Sequence, residues 1–539
     1  MLRKAISLLL TLMLLLSVTA YAEDTAEATD DLMTPYGRYS ETVTFTSGRV
    51  VAPKLPADQT YEDNVMMRYI EKVLNVKVQN EWVVDANSYD QKVALLLASG
   101  DIPDVMVVND RKTLAQMVEA DLVADLTEAF DKCLSPFLKE QYASFGDNLL
   151  EEATFDGKLM AIPGTSIGGA HNLIWIRQDW LEKVGMEPPK TIDDVIAIAK
   201  AFIEKDPGGN GEGKTVGITG KQKVAGQYNS MHGLDTIFSL YGAYPRHWID
   251  DGNGGVIYGS VAPEMKTALA KLNEMYTEGI LDPQFAMRQE ADSHSLVVGG
   301  QCGIMFGPWW AAYDPLSNSV ANDPSADWKP YLAPLDENGN LNVYTQDPVN
   351  KFLVVRKGYE HPEAIIKVLN CENDLYRGTN EEAAALMREV NAKGDDWGEP
   401  FVLQIDYNDE VYRYYTKLME AIEKEDPSVL PENYVGAYNA YQANKANPGA
   451  DSAAWAEATA RVDGQALTYT PQVVFHDDLF YGVTPTMEMK WATMEKFEDE
   501  ALIQFIMGAK PLDEFDAYVT QWMALGGEEI TAEVKEAIQ

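Results

Sequence analysis

Gly100-Asp-Ile-Pro-Asp-Val-Met-Val-Val108 is a turn followed by an unbroken apolar run, and the polar pair Asn109-Asp110 closes it before a helical stretch begins. A short run rich in valine, bounded by Gly, Asp and Pro, reads as a buried strand. Working outward, β-like and helix-like segments alternate. Residues 42–45 and 76–84 are β-like, while 61–74 and 89–98 are helical, with Val93, Leu96 and Leu97 on one face of the latter. Such alternation predicts an α/β fold built on an open sheet. In open parallel sheets ligands sit beyond the carboxyl ends of the strands. That makes Asn109 and Asp110 candidate site residues, although Asp110 reads equally well as the cap of the next helix.

The same grammar continues downstream. Phe155-Asp-Gly-Lys-Leu-Met-Ala-Ile-Pro163 is a tight turn and a strand, and Leu173-Ile-Trp-Ile-Arg177 is a strand that runs into a helix over 178–184. A helix over 192–205 is announced by Thr191 with Asp194 three residues on, a capping-box start. A Gly-rich turn at 250–255, a helix over 263–277, a strand over 352–355 and a helix over 362–370 follow. Beyond Tyr376 the chain is mostly helical, with long amphipathic segments near 487–507 and 515–525. There is no internal repeat. Trp175 and Trp180 lie inside an apolar strand and helix and are assigned to the core.

In Gly299-Gly-Gln-Cys-Gly-Ile-Met-Phe-Gly-Pro-Trp-Trp-Ala-Ala-Tyr313, both Val297-Val298 just before it and Ile304-Met-Phe306 within it read as short buried strands. The Gly307-Pro308 turn then halts the chain and presents Trp309 and Trp310 at a sheet end. Two flat rings so placed are either core or a ligand contact.

The N-terminus carries an export pattern: Arg3-Lys4, an apolar run from Ile6 to Leu16, and Ala20-Tyr-Ala22 before acidic residues. Residues 1–22 are therefore expected to be a signal peptide cleaved after Ala22, and 23–41 a flexible leader. No lipid-attachment cysteine lies at the cleavage point. Formal charge is −41, and loss of Arg3 and Lys4 makes it −43. Potential of that sign repels phosphate backbones and anionic membranes, so nucleic acid is not an expected partner. Cys133, Cys302 and Cys371 are odd in number and far apart, which suits buried thiols rather than a disulfide framework.

Three motif matches fail on context. Gly208-Gly-Asn-Gly-Glu-Gly-Lys214-Thr215 fits the P-loop spelling, but a polar helix precedes it and 216–219 is extended, the reverse of what phosphate binding needs. The same loop fits a calcium loop from Asp206, with Asn210 and Glu212 as further oxygen donors, but Gly208, Lys214 and Gly217 fall where ligands belong. Gly164-Thr-Ser166-Ile-Gly168 has the nucleophile-elbow spelling yet leads into a strand instead of a helix. No metal-spaced histidine pair occurs. No catalytic group stands out, and no enzyme activity or cofactor is expected, calcium being the single candidate ion.

Several segments together resemble the family 1 extracellular solute-binding proteins of ABC importers, in their long Gram-positive lipoprotein-like branch. They are Gly100-Asp-Ile-Pro-Asp-Val105, Asp156-Gly-Lys-Leu-Met-Ala-Ile-Pro163, the stretch from Leu173 to Gly185, His361-Pro-Glu-Ala364, Phe480-Tyr-Gly-Val-Thr-Pro-Thr-Met487, Phe505-Ile-Met-Gly508 and the stretch from Leu525 to Val534. The resemblance implies a two-lobe type II periplasmic-binding-protein fold, maltose-binding-protein-like, with hinge crossovers and a helical C-terminal extension. Lobe 1 would take 42–161 and 351–400, and lobe 2 would take 162–350 and 401–539. It further implies an exported, monomeric receptor that hands a neutral oligosaccharide to an ABC permease. The Gly307-Pro308-Trp309 turn looks like one that carries a sugar-stacking tryptophan. A pyranose needs flat rings and hydrogen-bonding side chains. Candidate platforms are Trp309, Trp310, Trp248, Tyr244, Tyr228 and Phe480, and polar candidates are Arg49, Asn109, Asp110, His232, Asp347 and Asp478. A receptor for peptides or another small solute, and a secreted carbohydrate-active enzyme, are the alternatives.

Overall fold

The strand expected from the opening stretch spans Val105–Val108, with all four side chains buried. It pairs antiparallel with Val349–Val355, whose other edge pairs antiparallel with Ile162–Thr165. Val43–Val50 and Val76–Val84 pair in parallel. These are separate sheets, one parallel and one antiparallel, the latter because Val349–Val355 returns from far along the chain instead of through a βαβ crossover. The computed structural model describes residues 32–52, 54–146, 148–167, 171–393 and 396–538. The expected signal peptide and its cleavage point lie outside them.

One hydrophobic core gathers residues from 39–162 and 349–405. Others gather residues after Asn172, around Trp180, Phe202 and Trp522, around Trp175, Trp309 and Trp328, and around Tyr414 and Tyr434. The chain passes between the first core and the rest along neighbouring backbones. Ser166 N donates to Pro348 O at 2.8 Å, Thr165 N to Gln404 O at 2.8 Å, and Asp406 N to Thr165 Oγ1 at 2.8 Å. Arg377, at the end of the helix Pro362–Arg377, clamps this junction by pairing with Asp406 and, at 2.5 Å, with Glu410.

Local signals set many of the bounds. The helix Ile192–Lys205 starts on Thr191, whose side chain and that of Asp194 cap each other's backbone. The expected 61–74 helix begins later, at Val65, because Asn64 supplies the cap by accepting from Met67 N. Val297-Val298 is not a strand: it ends the helix Glu290–Val298, whose buried Ser293, Leu296 and Val297 recur at helical spacing. Short apolar runs do not reveal their period. Nor is the expected leader loose throughout, since Tyr36 Oη donates to Asp374 at 3.1 Å and Tyr39 Oη to Glu363 at 2.8 Å. The three cysteines are free and buried, and Trp175 and Trp180 are core. No described helix is long and apolar enough to cross a membrane.

Candidate functional site

The strand Ile304–Pro308 is wholly buried beside Asn172–Arg177, and the Trp175 indole donates to Gly307 O and Pro308 O, both at 3.1 Å. The turn that follows is therefore held from beneath. Trp309 opens the next 3₁₀ turn and borders a cavity of about 760 Å³. Lys54, Asp396, Gln404 and Asp406 line it on the first-core side, and Tyr414, Glu457 and Arg461 on the other. Trp309 is only 8% exposed. One of its faces lies under the Arg461 guanidinium, whose carbon is 4.9 Å from the ring centroid and 4.0 Å from that of Tyr414. Arg461 Nε donates to Glu457 Oε1 at 3.3 Å. Trp310 is outside this lining, and its Nε1 donates to Asn229 Oδ1 at 3.2 Å.

Arg49 and Asn109 come together on a second cavity of about 290 Å³, with Ser47, Tyr89, Asn350 and Lys351. Both stand at strand ends, as the open-sheet rule requires. Arg49 is buried, donating to Val50 O and Glu399 O, with its guanidinium 4.4 Å above Tyr61. The strand bulges between Ser47 and Gly48 under the Trp82 indole, and a Cβ on Gly48 would come within 1.9 Å of that ring. Asn109 Nδ2 donates to Asp90 at 2.7 Å. Asp110 caps the helix Arg111–Glu119, accepting from Thr113 N at 2.7 Å. Burial pulls the Lys351 ammonium below its usual range.

Tyr228, Tyr244, Trp248, Asp478 and Phe480 belong to a third group. Asp478 accepts from Trp248 N at 2.8 Å and lies 2.8 Å from His247 Nδ1. Tyr228 meets the His247 ring edge-on, Tyr244 packs on Tyr344, and Tyr344 stacks on His476. Trp248 is buried, and Phe480 packs against the same core. Burial raises the Asp478 carboxyl, with His247 opposing. Asp347 sits where the chain enters Val349–Val355; it accepts from Val349 N at 2.8 Å, and burial pushes it up to about 7. His232 is interior, 2.7 Å from Thr219 Oγ1, and burial pulls it well below its usual range.

Residues 52–371 match the family described as bacterial extracellular solute-binding proteins. The chain belongs to that family. As a bacterial extracellular solute-binding protein it is a receptor that works outside the cytoplasm, and it is not an enzyme. Lipoprotein LipO of Bacillus subtilis is 24% identical over 510 residues, 93% of this chain and 95% of LipO. The polygalacturonan/rhamnogalacturonan-binding protein YtcQ of the same species is 22% identical over 476 residues, 88% of each chain. Among solved structures, the Streptococcus pneumoniae ABC-transporter substrate-binding protein FusA in complex with kestose is 15% identical with a TM-score of 0.60, covering 92% of this chain and 98% of FusA.

In this solute-binding protein the Asp206 loop closes on itself. The Asp206 carboxylate accepts from Asn210 N at 3.0 Å, Gly211 N at 2.8 Å and Thr215 Oγ1 at 2.6 Å, and the Asn210 amide nitrogen donates to Thr215 Oγ1 and Gly300 O. A cation would have to replace those bonds, and Glu212 is exposed at the rim. Among the described residues no three His, Cys, Asp or Glu side chains converge on a possible metal position. Ser166 follows the strand Ile162–Thr165, and the next element among the described residues is the strand Asn172–Arg177, where a nucleophile elbow needs a helix.

Sequence reasoning missed Arg461, Glu457, Tyr414 and Lys54. Arg461 lies in a π-helical turn over Thr459–Gly464 within a polar helical region, and nothing local ties it to Trp309. The turn seats Gly464 against the tryptophan backbone, where a Cβ would come 2.9 Å from Trp309 O.

Proposed function

We propose that this protein is the extracytoplasmic receptor of an ABC importer and captures an oligosaccharide between two lobes that close on it. The observation that carries the reading is the 760 Å³ cavity, whose walls come from both sides of the three chain passages. Its size suits a small-molecule ligand, and Trp309 with several polar groups gives the mixed lining that such a ligand needs. YtcQ, named for polygalacturonan and rhamnogalacturonan, and FusA, solved with kestose, support a saccharide as the ligand class. The passages near Thr165, Pro348 and Gln404 would act as the hinge, and residues 42–161 with 351–400 as one lobe. Arg49 and Asn109 would reach the ligand from that lobe. The partner would be a membrane permease, and the receptor a monomer.

Calorimetric titration with a panel of oligosaccharides tests the reading. One-to-one binding with the sugar recovered intact is expected, and replacing Trp309 by Ala should weaken it. Turnover of the sugar, or no saccharide bound at all, would overturn it.

A further inference from the structure

Two arginines line the large cavity, and their hydrogen-bonding states differ. Arg377 pairs through both of its Nη groups, with Asp406 and Glu410. The Arg461 guanidinium carbon lies over the rings of Trp309 and Tyr414, 4.9 and 4.0 Å from their centroids, so the group is packed on two rings and meets hydrogen-bond partners along its N–H edge. Along that edge Nε reaches Glu457, and among the described residues the two Nη groups donate to no protein acceptor. The side chain is nonetheless 23% exposed, and the residue lines the cavity. A planar fork of N–H donors, packed on two rings and with its Nη groups unspent, is the geometry that a carboxylate meets with two parallel bonds. A lone hydroxyl would use only part of it.

A second cation without an ionic partner lines the same cavity. Lys54 lines the opposite wall, and its ammonium forms no ion pair among the described residues. The cavity's carboxylates are engaged: Asp406 and Glu410 by Arg377, Asp396 by Lys54 N at 2.7 Å, and Glu457 by Arg461. The cations left without a full set of protein partners are therefore Arg461 and Lys54, on facing walls. The large negative charge of the whole chain does not cancel this, since exposed charges beyond about 8–10 Å are screened at physiological salt, while a contact inside the cavity is not.

We infer that Arg461 is the recognition residue for a carboxylate carried by the saccharide, which makes the solute an acidic, uronate-type oligosaccharide. The inference rests on the proposed saccharide-receptor function and narrows it. Arg461 grips the acid edge-on while Trp309 and Tyr414 hold the guanidinium in place, and Lys54 adds charge from the facing wall.

The test uses the full mature chain and a panel of uronate oligosaccharides, each paired with its carboxyl-reduced counterpart of the same linkage and length. Reduction converts each acid to a neutral sugar and changes nothing else. At least one acidic sugar should bind, its reduced partner should bind roughly 30-fold more weakly or worse, and R461Q should lose a similar factor for the acid alone. Equal or tighter binding of the neutral partners would overturn the inference and leave the receptor function standing. Loss of acidic and neutral binding alike in a folded R461Q would also overturn it, reducing Arg461 to packing. Binding of no saccharide of either kind would overturn both. The wild-type comparison stands even if R461Q does not fold.

Discussion

Arg377 and Arg461 face the same cavity, and the contrast between them separates a charge that holds the molecule together from one that is left open. Arg377 pairs both Nη groups with carboxylates, Asp406 and Glu410, joining the end of one core's helix to the chain passage and to the start of the helix Glu410–Lys424. All three partners are largely buried. Arg461 is fixed by the faces of two rings and one carboxylate contact, which leaves an edge unspent. A closed ion-pair network defines where the chain crosses; an open one defines what the crossing can grip.

The largest effect should follow from breaking the closed member. Arg377→Ala leaves Asp406 and Glu410 without their cation, and removing one partner of a buried pair costs ~3–5 kcal/mol. Urea unfolding should show that loss, and saccharide affinity should fall with it, because Asp406 and the passage it belongs to would move. A change below about 1 kcal/mol would make Arg377 no more structural than a surface ion pair and would erase the distinction.

A smaller effect should come from Asp347, a half-buried carboxyl with no cation clamped on it, near Glu152, Asp478 and Arg111. Burial pushes it up to about 7, well above the usual carboxylate range. The folded chain holds this proton more tightly than the unfolded one, so the stability it contributes is full below about 4 and is lost as pH rises through about 7. Asp347→Asn should flatten the fall in stability between those limits, by something on the order of 2 kcal/mol. Glu498, pushed up to about 7, and Asp235, to about 6, share the same slope, so some of it should remain. An unchanged pH profile in the variant would show that Asp347 ionises freely in the folded state.

The smallest effect belongs to Asp110, whose carboxylate is closed by its own helix. Asp110→Ala should cost ~1 kcal/mol through loss of the cap and leave saccharide affinity unchanged. A fall in affinity without a fall in stability would move Asp110 from the closed class to the open one.

Much of the fold was legible because its signals are local. The helix Ile192–Lys205 could be read to its ends, since Thr191, Asp194 and the apolar stripe all lie within one segment. The strand Val105–Val108 was legible from its bounding turn and valines. Misreadings arose where the signal was short or distant. Val297-Val298 is too brief to show a period, and the helix over 65–74 is trimmed by a cap at Asn64. Tyr36 and Tyr39 look like part of a polar leader until Asp374 and Glu363, more than 300 residues away, bind their hydroxyls.

The candidate site divides in the same way. Arg49 and Asn109 could be picked out because strand ends are readable, and the tryptophan pair because a Gly-Pro turn is readable. The sequence by itself determined the alternation of elements, the halting turn before Trp309, and three thiols too scattered to form a framework. Only the tertiary structure decided that the Trp309 face lies under Arg461, that Trp310 leans on Asn229, and that Asp206 is consumed by its own loop. The physical reason is that caps, turns and periodicity are properties of contiguous residues. The exposure of a ring and the pairing of a charge are set by whichever distant segments the cores bring beside them.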